Sequence, residues 1–290
     1  MSDFKTVAVA GVGNVGTDII EELLEKQSEG RLDKIVLLTR SLSSKAAEAF
    51  TTRGVQVATV DYADEASLLA ALTGVDVVVS TVGHIAVQDG SQATLARAAK
   101  EAGVRLFLPS EYGGVTGGHQ SGPFAGKAKV HTLLKELDLP YALIHTGLLM
   151  KFAFSPIAGI DLPNGKATIG GDGTPTLSFT TIRDAARFVA YILTTLPFEK
   201  LAWRVFCVEG DRISYNEVFE QYSVKTGKPL SITRRPISEL QAVVNANPAD
   251  RTSAIQLVVA RGSTVGKKED LANGDFPEWN PKKVIDVIVT

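Results

Sequence analysis

A lysine in line with an apolar helix face is the first group in this chain that could move a proton. It stands in SGPFAGKAKVHTLLKELDLPYA (121–142), where Pro123 suits the first turn of a helix and Ser121 its cap. Val130, Leu133, Leu134 and Leu137 then form an apolar stripe. Stepping back three from Val130, or seven from Leu134, lands on Lys127, whereas Lys129 and Lys135 sit off the stripe. Desolvation disfavours an ammonium ion, and a nearby helix N-terminus adds to that. Both effects lower the pKa of the amine, as a general base near neutral pH requires. Spacing leaves a second reading open, a lysine that snorkels to solvent.

A second group of residues reads as an anion cradle. AGVGNVGTDII (10–20) sets Gly11, Gly13 and Gly16 between an apolar run and a helix-length segment. In a strand–turn–helix context this GxGxxG is a dinucleotide fingerprint. The first glycine permits the turn, the second lets a pyrophosphate approach, and the third lets helix and strand come close. Asn14 and Val15 complete the turn, and the helix N-terminus offers N–H groups to the anion. The next strand ends in LLTRSLSSK. Where an NAD site places a carboxylate for the ribose hydroxyls, this chain carries Thr39, Arg40 and Ser41, with Lys45 shortly beyond. Guanidinium and ammonium groups favour a 2′-phosphate, so the expected cofactor is NADPH/NADP rather than NADH.

Other strand ends supply further candidates. Asp61 and Tyr62 would border the adenine, and Thr81, Val82 and Gly83 the nicotinamide half. His84 is a substrate hydrogen-bonding candidate or an ordinary loop histidine. FLPSEYGGVTGG (107–118) suggests Tyr112 as a proton donor, but reductases that use such a tyrosine place a lysine four residues later. Here that position is Thr116, and Gly113, Gly114, Gly117 and Gly118 disfavour a helix. Pro109, Ser110, Glu111 and Tyr112 are therefore read as a floor beside the cofactor, with Gly113 next to the substrate. The four histidines have no metal-ligand spacing, and Cys207 is the only cysteine, so neither a metal site nor a disulfide is expected.

These residues need elements to hold them. TVAVA (6–10), KIVLL (34–38), VQVATV (55–60), DVVVS (76–80) and RLFLPS (105–110) are short and β-branched, as strands are. Helix-length segments lie between them, at Val15 to Lys26, Ser44 to Thr52, Glu65 to Leu72 and Ser91 to Ala102. Strands apolar on both faces and alternating with helices predict an α/β, doubly wound parallel Rossmann sheet, with its ligand crevice at the C-terminal strand ends. After YALIH (141–145) the pattern loosens. GIDLPNGKATIGGDGTPT (159–176) reads as turns around a short strand, FTTIRDAARFVAYIL (179–193) as a strand entering a helix, and RVFCVEG (204–210) as a strand. Helices are expected near 214–226, 237–246 and 249–260. The expected organisation is an NADP-binding domain over 1–155, with 179–208 returning to it. A smaller mixed α/β substrate lobe takes 156–178 and 209–290. Leu148, Met150, Phe152 and Phe154 are expected to wall an aromatic-accepting pocket, with core packing as the alternative.

Composition sets outer limits. The chain has 290 residues, 44% hydrophobic and 21% charged, with a formal net charge of −2, so no basic surplus points to nucleic acid or an anionic membrane. MSDFKTVAVAGVG has neither the pattern of a signal peptide nor the length of a spanning segment, which makes a cytoplasmic location the expectation. The partner expected is a small aromatic molecule, with a homodimer left open.

The ordered set GVGNVG, VLLTRS, DYADEASLLAALTGVDVVVSTVGH, AAKEAGVRLFLPSEYGG and FAGKAKVHTLLKELDLPY resembles the isoflavone reductase and phenylcoumaran benzylic ether reductase family. That family lies within the NmrA-like atypical short-chain dehydrogenases. The likeness continues through FTTIRDAARFVAYIL and VFCVEGDRISYNEVFEQYSVKTGKPL. It implies hydride transfer from NADPH to phenolic or related aromatic compounds. The family's catalytic lysine opens a K-A-K-[IV] helix, which here is Lys127, and in the benzylic ether reductases it deprotonates a phenol so that a quinone-methide-like carbon accepts hydride. The family's PSE-F/Y-G loop matches Pro109 to Gly113. Plant members carry a GxxGxxG turn, one residue longer than GVGNVG, and differ around TGLLMKFAF (146–154). Two other readings account for fewer of these residues. A non-catalytic NmrA-type dinucleotide-sensing regulator that binds a protein partner has no need of a base at Lys127. A nucleotide-sugar epimerase is weakened by the missing Tyr–Lys pair.

Overall fold

The first strand's neighbours decide the architecture. In the computed structural model, which describes residues 2–42, 45–115, 125–266 and 270–289, β1 (Thr6–Ala10) lies between β2 (Lys34–Thr39) and β4 (Val77–Ser80). Val7 pairs in parallel with Ile35 on one side and Val77 on the other. β3 (Gln56–Thr59) and β5 (Leu106–Leu108) extend the five-stranded sheet to the order β3-β2-β1-β4-β5. The crossovers are α1 (Asn14–Ser28), α2 (Lys45–Thr51), α3 (Glu65–Leu72), and α4 (His84–Gln88) followed by α5 (Ser91–Glu101). The doubly wound parallel sheet read from the alternating periods is present. Val77, Val78 and Val79 are fully buried, as strands covered on both faces must be.

Beyond β5 the chain forms α6 (Ala125–Glu136) and β6 (Ala142–His145). Phe107 bridges in parallel to Tyr141, and its N–H donates to the Pro140 carbonyl at 2.8 Å. Phe107, Leu95, Val130, Leu134 and Tyr141 share one core cluster. Each such side chain contributes about 1.5–3 kcal/mol by leaving water.

The chain continues as β7 (Leu148–Leu149), α7 (Met150–Ala153), β8 (Ile160–Asp161), β9 (Lys166–Gly170) and β10 (Thr176–Thr180). Then come α8 (Ile182–Thr195), β11 (Arg204–Cys207), β12 (Asp211–Ser214), α9 (Tyr215–Thr226), β13 (Ser231–Arg235), α10 (Ile237–Ala246), α11 (Arg251–Ala260) and α12 (Val284–Ile288). Two compact units result. The described residues within Met1–Glu111, Thr116–Ile144 and Ala186–Phe206 form the first, and those within Tyr112–Val115, His145–Ala185 and Cys207–Thr290 the second. The boundary therefore falls near His145 rather than at 155, because β7 pairs with β10 and the Thr146 and Gly147 N–H groups bond the Gly113 carbonyl. The return segment likewise begins at Ala186 rather than 179.

In the second unit, β10 pairs antiparallel with β12, and β9 pairs in parallel with β13 and antiparallel with β8. Three of these strands were not read from sequence. β8 and β12 are too short for alternation to show, and β13 is polar and largely exposed. The α9 start is explicit, by contrast. Ser214 and Glu217 form a reciprocal capping box, and Gly227 closes the helix.

Cys207 is buried in this unit, and burial, with the charges of Asp270 and Glu209, pushes its thiol up to about 11. A raised pKa leaves little thiolate at neutral pH. Dithionitrobenzoate should therefore label the native protein only slowly and the denatured protein at once; rapid native labelling would contradict this placement.

Candidate active site

Three strand ends of the first unit carry the glycine turn. Gly11 has φ +99°, a conformation that favours glycine, and its N–H donates to the Leu38 carbonyl at 3.0 Å. A Cβ at Gly16 would overlap the Gly11 carbonyl oxygen and crowd Thr81 Oγ1. That close approach lets Gly16, Ile19, Ile20 and Leu23 bury one face of α1. Thr81 locks the turn from β4, its Oγ1 donating to the Ala10 and Gly11 carbonyls at 3.0 Å each. A Cβ at Gly13 would meet no protein atom within 4 Å. Gly13 caps α1 without a side-chain bond, and the first turn holds no acidic residue. The turn thus presents an uncrowded, uncapped helix start of the kind that receives a pyrophosphate. Gly16→Ala is expected to cost about 1–3 kcal/mol through overpacking. The checks are a lower Tm and weaker dinucleotide binding; an unchanged Tm would contradict the close contact.

At the end of β2, Thr39 is buried and its Oγ1 bonds to the Ser41 backbone, while Arg40, Ser41 and Lys45 are exposed. The Tyr62 hydroxyl donates to the Leu38 carbonyl at 3.1 Å. Burial pushes that phenol well above its usual range, and the nearby Arg40 charge pulls the other way. Asp89 lies within reach of the same guanidinium; bonds from Ser91 hold its carboxyl below the usual range, and Arg40 adds to this. Asp61, two residues beyond β3, accepts from the Ala63 N–H and is exposed.

His84 does not sit in a loop: it is the exposed first residue of α4, whose cap is Gly83. Val82 is buried, and its carbonyl accepts from Ser110 Oγ at 2.9 Å. Gln92 on α5, fully buried, joins the two strand ends. Its Oε1 takes bonds from Ser80 Oγ at 2.7 Å and from the Ser110 N–H at 2.8 Å. Sequence reading passed over Gln92, although a glutamine in line with Leu95, Ala96 and Ala99 was the available signal.

The expected strand RLFLPS is shorter, ending at Leu108, because Pro109 cannot donate to a ladder. Pro109 and Ser110 then lead into Glu111, expected beside the cofactor. Its N–H, carboxylate and carbonyl are all bonded within the protein. The Glu111 N–H bonds the Pro109 carbonyl, the carboxylate accepts from His131 Nε2 at 2.8 Å, and the carbonyl accepts from Lys127 Nζ. Tyr112 follows at φ +24°, at the edge of the left-handed region.

Ser121, Pro123, Thr116, Gly117 and Gly118 lie outside the described residues; the described part of the helix begins at Ala125. Its stripe is as expected, with Val130 and Leu134 buried, Leu133 and Leu137 half-buried, and Lys129 and Lys135 exposed. Gly126 packs against the Val87 carbonyl and the Gln88 side chain on α4, a contact a larger residue would crowd. Lys127 is half-buried, with its amine directed at the Glu111 carbonyl. Burial lowers its pKa from the usual lysine range, and the Glu111 carboxylate partly opposes this. Among the described residues no cluster of three or more metal-ligating side chains occurs.

The four residues expected to wall a pocket divide in the second unit. Met150 is a core residue there, and Phe154 stacks on Phe179 at 5.4 Å and meets Tyr215 edge-on. Leu148 packs against the same cluster, and Phe152 alone of the four is exposed.

A family model described as the NmrA-like family matches residues 3–270. The chain belongs to the NmrA-like family. Curated relatives of this NmrA-like chain include an isoflavone reductase homolog from Arabidopsis thaliana, 27% identical over 259 residues, covering 84% of this chain and 82% of the relative. A phenylcoumaran benzylic ether reductase from Pyrus communis is 29% identical over 247 residues, covering 80% of this chain and 78% of the relative. The leucoanthocyanidin reductase–NADPH complex from Vitis vinifera superposes with a TM-score of 0.83 at 19% identity, covering 97% of each chain. An NADPH-dependent quinone oxidoreductase complexed with NADPH from Escherichia coli gives 0.79 at 19%, covering 97% of this chain and 98% of the other. At such identities the likeness to the solved structures is one of fold.

Proposed function

We propose that this NmrA-like protein is an NADPH-dependent reductase of a phenolic or other conjugated aromatic small molecule, with Lys127 as general base or proton relay. The observation that carries the reading is Lys127 itself. Its amine meets a backbone carbonyl from the apolar side of α6, and burial weakens its hold on a proton. When bound, NADPH supplies a hydride; the chain must bind it and manage the accompanying proton. The Gly11–Gly13–Gly16 turn suits the pyrophosphate, and Arg40, with Lys45, suits the 2′-phosphate.

A neutral amine that donates one N–H to the Glu111 carbonyl keeps its lone pair for a substrate proton. Taking that proton from a phenol oxygen raises electron density in the ring, which would drive out a conjugated benzylic C–O bond; the quinone-methide-like carbon left behind could accept hydride, and the proton held by the amine would pass to the departing oxygen. The neutral fraction grows as pH rises through the Lys127 pKa. Burial therefore moves the onset of activity toward neutral pH. A non-catalytic sensor would have no use for a desolvated amine here.

The test is loss of NADPH absorbance across isoflavones, phenylcoumaran-type benzylic ethers, quinones and enones. Turnover of one class that depends on Lys127 supports the reading; no oxidation with any class, together with tight NADPH binding, overturns it.

A further inference from the structure

Glu111 and His131 are unusual for where they lie. The Glu111 side chain is fully buried at the end of β5, and His131 is buried on the inner side of α6. Their contact, Nε2 to Oε1, is 2.8 Å. An ionised carboxylate only accepts, so the imidazole donates from Nε2. The Glu111 carbonyl meanwhile accepts from Lys127, one helical turn before His131 on the same helix face. Both anchors of the loop thus come from one rigid element, and Tyr112 at φ +24° directly follows. We infer that the buried Glu111–His131 pair is a positioning device that fixes the Glu111 carbonyl on which the Lys127 amine docks. The inference rests on the reading of Lys127 as the base.

The geometry explains a choice that packing alone does not. A buried carboxylate and imidazole cost more than a hydrophobic pair of the same volume, so fold stability would favour replacing both. As a clamp they do what apolar residues cannot, holding a backbone carbonyl in register with an amine one turn away. The carboxylate also places a negative charge near that amine, which favours the ammonium form. Other ionisable groups on the elements packed against α6 are His84 on α4 and Arg97, Lys100 and Glu101 on α5. All four are exposed, as are Lys129, Lys135 and Glu136 on α6 itself.

The experiment compares pH profiles of kcat and KM for the full chain, with NADPH and a substrate found in the panel above. Glu111→Gln keeps the shape but removes the charge, so the acidic limb should move to lower pH by about one unit. His131→Phe removes the clamp and should lower kcat by up to about 100-fold with little change in KM. His131→Gln, which retains a donor near the Nε2 position, should restore most of that loss. A purely structural pair would lower Tm and leave kcat of the folded variants near that of the wild type. Wild-type kcat in folded His131→Phe would overturn the inference while leaving Lys127 as the base. Undiminished turnover in Lys127→Ala would instead overturn the reading beneath it. Should His131→Phe fail to fold, His131→Asn, whose shorter side chain does not reach the Glu111 carboxylate, reads the same loss of kcat.

Discussion

Replacing Lys127 with alanine should lower turnover by about 10²–10⁴-fold, the range a positioned general base contributes, while NADPH binding is about unchanged. The separation of the two effects follows from placement. Lys127 lies on α6 with its amine on the Glu111 carbonyl, whereas the glycine turn is closed by Gly11, Gly16 and Thr81. Lys127→Arg sharpens the result. A guanidinium keeps the charge but does not lose its proton in a protein, so it should be nearly as inactive as alanine. Stopped-flow measurement of NADPH oxidation under saturating substrate reads the chemical step, and fluorescence titration reads cofactor binding. Activity of the arginine variant near that of the wild type would mean that charge, not proton transfer, is the contribution of Lys127.

The second large effect concerns the choice of dinucleotide. Arg40→Ala should raise the Kd for NADPH by about 10–100-fold, the loss of one charge-assisted contact to phosphate, and leave that for NADH nearly unaltered. Arg40 stands exposed at the end of β2, and its charge is felt at both Tyr62 and Asp89. The effect should shrink as salt is added, because the contact lies at the surface. Equal losses for both cofactors would place Arg40 at the adenine or the shared phosphates instead. Lys45, the exposed first residue of α2, should matter less, since an ammonium is a point charge without the guanidinium's bidentate fork.

Much of this was legible in the residues. Buried parallel strands read as continuous β-branched runs, so Val77–Ser80 and its neighbours were found where they lie, and the glycine turn marked the first crossover. Lys127 was legible because an amine on an apolar stripe has few uses. Its partners were not. Glu111 and His131 are twenty residues apart, and no local period links them. The carboxylate of a loop glutamate reads as a solvent or ligand contact until the fold turns it inward. Met150 and Phe154 stayed open between pocket wall and core because the two have the same composition; the neighbours of Phe154, Phe179 and Tyr215, could not be read locally. The domain boundary was missed because a pairing of two residues, β7 with β10, carries no sequence signature.

The central claim is that Lys127 holds its proton weakly enough to act as a base. The direct measurement is a pH titration of the lysine side chains by ¹³Cε chemical shift, with the Lys127 resonance assigned by its absence in Lys127→Arg. The account predicts that Lys127 titrates below the usual lysine range, with a midpoint that coincides with the acidic limb of kcat. A Lys127 resonance that titrates within that usual range would contradict it.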